Sequence, residues 1–209
     1  MSAPIQSNAA SADTIVLPEP RRSGQATLEA VMSARRSVRD FTTVPITLAE
    51  LGQLLWAAQG ETGGGAGRTA PSAGATYPLE LYAVAGAVGD LPPGIYRYDP
   101  RRHAVHGIAT GDRRRALAAA ALSQSWIADA AVVLVIAAVF KRTTAKYGRR
   151  GERYVHIEVG HAGQNVCLQA EALGLGTAVV GAFRDDAVKA LIGADEPGEP
   201  LCLLPIGRA

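Results

Sequence analysis

The stretch GERYVHIEVGHAGQNVCLQAEALG, residues 151–174, predicts a long helix that ends at Gly174. It follows AVVLVIAAVF, residues 131–140, whose β-branched centre is typical of a strand buried on both faces. Two further strands are predicted in TAVVGAF, residues 177–183, and in PLCLLPIG, residues 200–207. Because helices and strands are mixed without a regular βαβ alternation, we expect a single α+β domain.

Shorter elements are predicted on the N-terminal side of this centre. Thr47 and Glu50 form a capping box that indicates a helix ending at Gly60. Further helices are predicted in ATLEAVMSARR, GDRRRALAAAAL and DDAVKALIG, a strand in LELYAVAG, and a hairpin in GIYRYDPRRHAVHGI. We expect residues 1–23 to form an irregular N-terminal arm and residues 24–209 the folded domain, with a long glycine-rich loop over 61–78.

Composition and charge exclude several classes of function. Hydrophobic residues make up 48% of the 209 residues and charged residues 19%, compared with about 25% charged in typical soluble domains. This shortage of charge suggests that a second copy covers some apolar surface. The net charge of +2 argues against a general nucleic-acid or membrane-surface role.

The cysteines and the N-terminus indicate a cytoplasmic protein. Cys167 and Cys202 lie in apolar segments without CxxC or Cys/His spacing, so we expect reduced core thiols. The N-terminus has no signal-peptide pattern. The longest apolar run is shorter than the roughly 18 residues that span a bilayer, so we expect a soluble protein.

Several catalytic and cofactor motifs are absent from the sequence or fail in their context. GAGRTA, residues 65–70, matches a dinucleotide-binding pattern, but a predicted helix precedes it where a strand is required. No P-loop and no GxSxG elbow are present. His156 and His161 are five residues apart on the long helix and cannot clamp one metal ion, so no metal site is predicted.

The segment RRSVRDF, residues 35–41, is a candidate anion site. Its arginines suit a helix C-terminus, but guanidinium groups beside a hydroxyl also suit a phosphate monoester. Arg208 follows a predicted strand and could converge on the same anion. VVGAF, residues 179–183, presents backbone N–H groups, and the small-residue loop PSAGATYP, residues 71–78, could lie against an aromatic ring system.

Taken in order, these segments resemble the nitroreductase-like flavoprotein superfamily, and more narrowly its SagB-type dehydrogenase branch, which includes the azoline oxidases of peptide-modifying pathways. The matching segments are RRSVRDF, LLWAAQG, PSAGATYPLELY, GIYRYDP, KYGRRGERYVHIEVGHAGQNVCLQAEALGLGTAVVGAF and PIGR. The resemblance implies an α+β sandwich with a central mixed sheet flanked by helices. It also implies a homodimer built on the long helix, with FMN at the dimer interface.

The resemblance assigns roles to individual residues. Arg35, Arg36 and Ser37 would hold the FMN phosphate or ribityl chain, with Arg39 as a further candidate, and Arg208 would close on the phosphate. The residues that would flank the flavin ring are Pro71, Ser72, Ala73 and Gly74, from the same or the neighbouring subunit, and Val180, Gly181 and Ala182, with a backbone N–H near N5. Gln164 and Asn165 match the family's QN pair, which is structural or flavin-adjacent.

Lys146 and Tyr147 match the Lys-Tyr motif of the azoline oxidases, where either side chain could remove a proton. The alternative is that this segment only opens the long helix. The resemblance implies an FMN-dependent oxidoreductase that moves hydride between a donor such as NAD(P)H and a small organic acceptor. Residues 1–23 supply no leader-recognition domain, which favours this general reading over a dedicated azoline dehydrogenase. A non-catalytic FMN-binding or storage protein and a flavin-fragmenting enzyme are further alternatives.

Overall fold

A seven-stranded sheet forms the centre of the computed structural model, which describes residues 14–65, 67–193 and 198–209. The strand order is β1-β6-β5-β4-β7-β9-β8, and β2 and β3 form a separate small hairpin. The strands are β1 Thr14–Val16, β2 Glu61–Thr62, β3 Gly67–Arg68, β4 Leu79–Ala85, β5 Gly94–Asp99, β6 Ala104–Thr110, β7 Val132–Ala138, β8 Gly176–Thr177 and β9 Glu199–Gly207.

Six α-helices accompany the sheet within the described residues. Thr47 and Glu50 form the predicted capping box, with the Thr47 hydroxyl accepting from the Glu50 N–H and the Glu50 carboxylate accepting from the Thr47 N–H. Gly148, at a φ of +56°, separates the fourth and fifth helices. The helices are α1 Leu28–Ala34, α2 Leu48–Gln59, α3 Arg114–Ala120, α4 Lys141–Tyr147, α5 Arg150–Ala172 and α6 Asp185–Ile192.

The sheet has one hydrophobic core on each face, which confirms the α+β sandwich. Side chains of β7 alternate between the two cores and all are buried, as its β-branched sequence predicted. The first core contains buried side chains of α2 and α5, such as Leu54 and Val166. The second contains side chains of α3 and α6, such as Leu117 and Val188.

Strand pairing differs from the expected mixed sheet. Every pair between the named strands of the described chain is antiparallel. Parallel pairing is found in isolated bridges, Ser37 with Thr177 and Ile46 with Val88. The predicted strand over 177–183 is also wrong in extent, because β8 ends at Thr177 and only Val180 pairs again, through a bridge to Leu203.

The N-terminal segment is more ordered than an irregular arm. Thr14–Val16 pairs antiparallel with β6 as an edge strand, and the Thr14 hydroxyl lies 2.9 Å from Nδ1 of His106. The side chain of Leu17 is buried in the first core. The prediction of an irregular arm is therefore wrong at these residues. Residues 1–13 lie outside the described part of the chain.

Both cysteines are free and buried, as the sequence indicated. Burial raises the pKa of the Cys202 thiol to about 12 and also raises the pKa of the Cys167 thiol. These thiols are therefore protonated at neutral pH and poor nucleophiles. Within the described ranges, the helices are too short or too polar to cross a lipid bilayer.

Candidate functional site

Strand β8 brings together two arginine-bearing segments, the one that follows α1 and the C-terminal one. Ser37 bridges to Thr177, and the Val38 N–H donates to the Thr177 carbonyl at 3.0 Å. On its other side, β8 pairs Gly176 with Gly207 of β9. The Thr42 N–H donates to the Arg208 carbonyl at 2.8 Å. The segment that follows α1 and the C-terminal residues therefore meet at one end of the sheet.

Arg35 and Arg208 each lie next to a segment that pairs with β8. Arg35 is half-buried beside α5. Burial raises the pKa of the Cys167 thiol, and the nearby Arg35 guanidinium opposes that rise. Arg208 donates through Nη2 to both carboxylate oxygens of Glu50, at 2.8 and 3.0 Å.

Arg36 and Arg39 also have local partners. Nη1 of Arg36 donates to the Ser33, Ala34 and Arg35 carbonyls, so this side chain folds back over the C-terminal end of α1. The Arg39 guanidinium lies 5.7 Å from the centre of the Trp126 ring. Both arginines add positive charge at this end of the sheet while making structural contacts.

The chain after β8 exposes backbone near the same place. Val180 exchanges two backbone hydrogen bonds with Leu203, both at 2.9 Å. Gly181 and Ala182 then lie at the surface, and a Cβ atom added at Gly181 would meet open space. The Gln124 side chain donates to the Ala182 carbonyl at 3.1 Å. A flat ligand could therefore approach this backbone.

The chemistry of this end fits a phosphate monoester. It combines the Arg35 and Arg208 guanidinium groups with the exposed Ser37 hydroxyl. The backbone of Thr177 bridges to Ser37, and the buried Thr177 hydroxyl makes no hydrogen bond in the described structure. Charge-assisted donors beside an unused hydroxyl are what a dianionic phosphate requires. We call this the anion end of the sheet.

A second group of predicted residues lies around the turn at Gly74. The Lys146 ammonium donates to the Gly74 carbonyl at 3.3 Å. A Cβ atom added at Gly74 would lie 2.5 Å from the Tyr147 hydroxyl and 2.6 Å from Nζ of Lys146. The Lys-Tyr pair therefore packs on the loop formed by residues 71–74, and it ends α4 rather than opening the long helix. Lys146 is exposed, so the single chain does not desolvate its ammonium.

The 71–74 loop and the anion end lie beside different turns of α5. Burial raises the pKa of both the Glu158 carboxyl and the Cys167 thiol; the Ser72 hydroxyl opposes the rise at Glu158, and the Arg35 charge opposes it at Cys167. These two α5 residues are nine positions apart, which is about 13.5 Å at 1.5 Å per residue. The loop at Pro71, Ser72, Ala73 and Gly74 and the Arg35 side chain therefore influence different turns of α5.

The QN pair divides into one exposed and one structural side chain. Gln164 is exposed on α5. The Asn165 amide donates to the Ala57 and Thr69 carbonyls at 3.0 and 3.2 Å. Asn165 therefore ties α5 to α2 and to the start of the loop.

Sequence reasoning missed a buried polar cluster beneath the loop. Glu158 is 2% exposed, and Gln59, also buried, accepts from Nη1 of Arg68 at 2.8 Å. The periodicity of α5 could have identified Glu158 as buried, because it occupies the apolar helical repeat that continues through Ala162 and Val166.

Comparisons with known proteins agree with this architecture. The profile of the nitroreductase family matches residues 32–208. A protein of Methanocaldococcus jannaschii, provisionally named a nitroreductase, is 49% identical over 181 residues, covering 87% of this chain and 90% of that protein. A crystal structure from Ralstonia eutropha, also provisionally named a nitroreductase, has a TM-score of 0.81 at 30% identity, covering 94% of this chain and 89% of that one.

A more distant relative supports the SagB-like branch. The trifolitoxin operon protein TfxC of Rhizobium leguminosarum is 26% identical over 212 residues. The alignment covers 94% of this chain but 59% of TfxC. On the family profile and the M. jannaschii relative, the chain belongs to the nitroreductase family.

Proposed function

We propose that this protein is an FMN-dependent oxidoreductase that takes hydride from a donor such as NAD(P)H and passes it to a small organic acceptor. The observation that carries the proposal is the convergence of Ser37, Arg35 and Arg208 on β8, next to the exposed backbone of residues 181–182. FMN presents both a phosphate monoester and a flat ring, and it is the cofactor that the resemblance to nitroreductase-like flavoproteins implies.

The chain's own residues would bind and orient the cofactor. Arg35, Ser37 and Arg208 would hold the phosphate through charge-assisted hydrogen bonds. Arg36 and Arg39 would contribute positive charge at longer range, since their side chains have local partners. When bound, FMN supplies the two-electron chemistry by accepting hydride at N5.

Residues 180–182 would form one wall for the flavin ring. Val180 is fixed by its two hydrogen bonds to Leu203, so the backbone that follows starts from a rigid point. Gly181 carries no side chain, which lets the ring approach the backbone closely. A rigid wall with free N–H groups orients the ring and stabilises charge that develops on its edge.

The proposal includes a homodimer. Ile157 is 49% exposed on α5, and Gly160 and Gln164 lie on the same face one and two turns further along. Packing two α5 helices across this face would cover the apolar surface and bring the partner's 71–74 loop to the anion end. Two buried, protonated thiols support a cytoplasmic location.

Reconstitution followed by turnover tests the proposal. The purified protein is mixed with FMN, freed of unbound FMN on a desalting column, and supplied with NADH or NADPH and a quinone or nitroaromatic acceptor. We expect retained flavin and donor oxidation well above the rate of the same amount of free FMN. Retained flavin without turnover would favour a storage protein, and loss of all flavin on the column would contradict both.

A second candidate, azoline dehydrogenation in a modified peptide, is favoured by the contact of Lys146 with Gly74. Converting an azoline into an azole removes one hydride and one proton. Lys146 or Tyr147 would take the proton, and both side chains pack against the 71–74 loop that is proposed to flank the ring. The match to a trifolitoxin operon protein also supports this candidate.

The variant Lys146→Ala separates the two candidates. If the protein oxidises azolines, this variant should bind FMN normally and lose peptide oxidation while retaining reduction by a nicotinamide donor. Equal peptide oxidation in Lys146→Ala and wild type would rule out the lysine as the base. Arg149→Ala, an exposed arginine three residues further on, is a matched control for loss of a surface charge.

A further inference from the structure

The central sheet opens between β4 and β5. The two strands pair antiparallel over four residues each, and the last pair is Tyr82 opposite Arg97. Beyond it, residues 79–81 of β4 stay paired with β7, and residues 98–99 of β5 stay paired with β6. Both strands therefore continue inside the sheet while they separate from each other. We call the space between these two segments the fork.

A cavity of about 440 Å³ lies in the fork. Cavities of about 300–1,000 Å³ commonly hold small molecules. Leu79 and Leu81 line the cavity from one strand and Tyr98 lines it from the other, and all three side chains are buried members of the first core. Ile108 of β6, which is 41% exposed, also lines it. The cavity therefore offers apolar surface to the body of an organic ligand.

The two acidic side chains in the lining are already paired. Oε2 of Glu80 accepts from Nε of Arg97 across the fork at 2.9 Å, and Oε1 of Glu80 lies 2.6 Å from Nη1 of Arg142. One oxygen of Asp99 accepts backbone N–H groups of the turn after β5, and the other lies 3.6 Å from Nε2 of His106. Glu80 thus meets two cations with one negative charge, and it has none left for a further guanidinium group.

Arg68, on β3, is a half-buried cation in the lining that lacks a carboxylate partner. Its Nη1 donates to Oε1 of the buried Gln59 at 2.8 Å, and its guanidinium lies 4.5 Å from the centre of the Tyr77 ring. It forms no ion pair with any residue that the structure describes. Burial lowers the pKa of the Arg68 guanidinium, because the charged form is held away from water. An arginine keeps its charge at neutral pH nevertheless, so this charge calls for an anion.

The lining as a whole has an excess of positive charge. It contains three arginines, Arg68, Arg97 and Arg101, and two acids. Arg101 is exposed, and its side chain has no ion pair within the described ranges. The excess of one positive charge matches a single carboxylate.

The geometry of Arg68 also suits a carboxylate. Gln59 engages Nη1 and so fixes the guanidinium plane. Nε and Nη2 form the side edge of that plane, and neither makes a hydrogen bond within the part of the chain that the structure describes. Two parallel N–H groups on one edge are what a carboxylate accepts as a bidentate pair.

We propose that the fork binds a small organic carboxylate, with its negative charge facing Arg68 and Arg101 and its apolar body against Leu79, Leu81 and Tyr98. The site goes beyond the proposed FMN function and does not depend on it, because its lining residues differ from those of the anion end.

Titration of the full chain with benzoate, followed by ligand-observed NMR, is the primary test. Benzoate carries a carboxylate on a flat apolar ring, and benzamide has the same shape without the charge. We expect benzoate to bind with a dissociation constant of about 1 mM or lower, and benzamide to bind at least about tenfold more weakly. Equal binding of the two, or no binding of benzoate, would overturn the proposal. Phenyl phosphate binding more tightly than benzoate would overturn the assignment of the site to carboxylates.

Removing Arg68 tests which group holds the charge. Arg68→Gln should weaken benzoate binding by about tenfold or more, because a charge-assisted bidentate pair is lost. Arg114→Gln is the matched control, since Arg114 is also half-buried but pairs with Asp112 and does not line the cavity. Benzoate affinity should be unchanged in this control. Equal affinity in Arg68→Gln and wild type would contradict the proposal.

A variant at the exposed arginine guards against misfolding of Arg68→Gln. Arg101→Gln should weaken benzoate binding by about threefold, as expected for an exposed charge. Arg115→Gln removes an exposed arginine outside the lining and should have no effect. Unchanged affinity in Arg101→Gln would count against the proposal.

Hydrogen exchange locates the bound benzoate. Saturating benzoate should slow amide exchange in residues 79–81 and 98–101, whereas benzamide at the same concentration should not. The double variant Arg35→Gln, Arg208→Gln should bind benzoate as wild type does, whether or not the protein binds FMN. Loss of benzoate binding in that variant would assign the carboxylate to the anion end and overturn the proposal.

Discussion

Substituting alanine for Gly176 tests how closely β8 joins the arginine segment to the C-terminus. A Cβ atom at this buried position would lie 2.6 Å from Cγ1 and 2.8 Å from Cβ of Val38. Ordinary carbon contacts are about 3.5 Å or longer, so Val38 must retreat by roughly 0.9 Å. The Val38 N–H to Thr177 bond, now 3.0 Å, would then lengthen to about 3.9 Å if the retreat follows its direction, which is beyond a hydrogen bond.

The expected cost combines overpacking with a lost backbone hydrogen bond. Overpacking typically costs about 1–3 kcal/mol and a hydrogen bond about 1 kcal/mol, so we expect the free energy of unfolding to fall by about 2–4 kcal/mol. Because Ser37 is displaced with Val38, FMN should bind about tenfold or more weakly. Urea denaturation of the FMN-free protein and a fluorescence titration with FMN measure the two effects.

Two further variants sharpen this test. Val38→Ala removes the methyl group nearest the new Cβ atom, so the double variant should recover part of the lost stability. Gly24→Ala adds a Cβ atom with nothing within 4 Å and should change stability by no more than about 0.5 kcal/mol. The reasoning is refuted if Gly176→Ala matches Gly24→Ala in both stability and FMN affinity.

Three other predictions concern the dimer, the C-terminal arginine and the N-terminal segment. Ile157→Glu places a charge on the exposed face of α5 that is proposed to form the dimer interface. Sedimentation should therefore show monomers, and these monomers should not retain FMN. Glu50→Gln weakens the capping box and the ion pair with Arg208. The free energy of unfolding should fall by about 1 kcal/mol. FMN binding should not weaken, because the substitution removes a negative charge near the phosphate. Nε2 of His103 lies 2.9 Å from the Pro18 carbonyl oxygen of the N-terminal segment, and burial lowers the pKa of His103. Wild-type stability should therefore fall as the pH drops below about 6.5, and His103→Gln should lose that component in pH-dependent urea denaturation.

Elements specified by local signals were predicted well. The capping box at Thr47, the periodicity of α5 and the β-branched centre of β7 each act within one element, and each appears where expected. The strand expected over 177–183 failed because pairing requires a partner. Antiparallel pairing of β8 with β9 stops at Thr177, and the chain beyond it returns to the sheet only at Val180.

The sequence predicted which residues belong to the site more fully than it predicted the contacts that they make. The sequence marked Arg35, Arg36 and Arg39 alike, but tertiary contacts distinguish them: Arg36 folds over the end of α1, and Arg39 stacks on Trp126. The cluster around Glu158 depends on the meeting of α2, α5 and the loop, which no single stretch of sequence records. Only its position in the apolar repeat of α5 marked Glu158 as unusual.

Anaerobic reduction of the flavin-loaded protein tests the central claim most directly. Protein reconstituted with FMN and freed of unbound cofactor is mixed with NADH or NADPH in the absence of oxygen, and the visible absorption of the flavin is followed. An acceptor is then added. The account predicts that a donor bleaches the bound flavin and that the acceptor restores its colour, with both changes lost in a variant carrying Arg35→Gln and Arg208→Gln because the flavin is no longer retained. Full flavin retention and unchanged redox cycling in that double variant would contradict it.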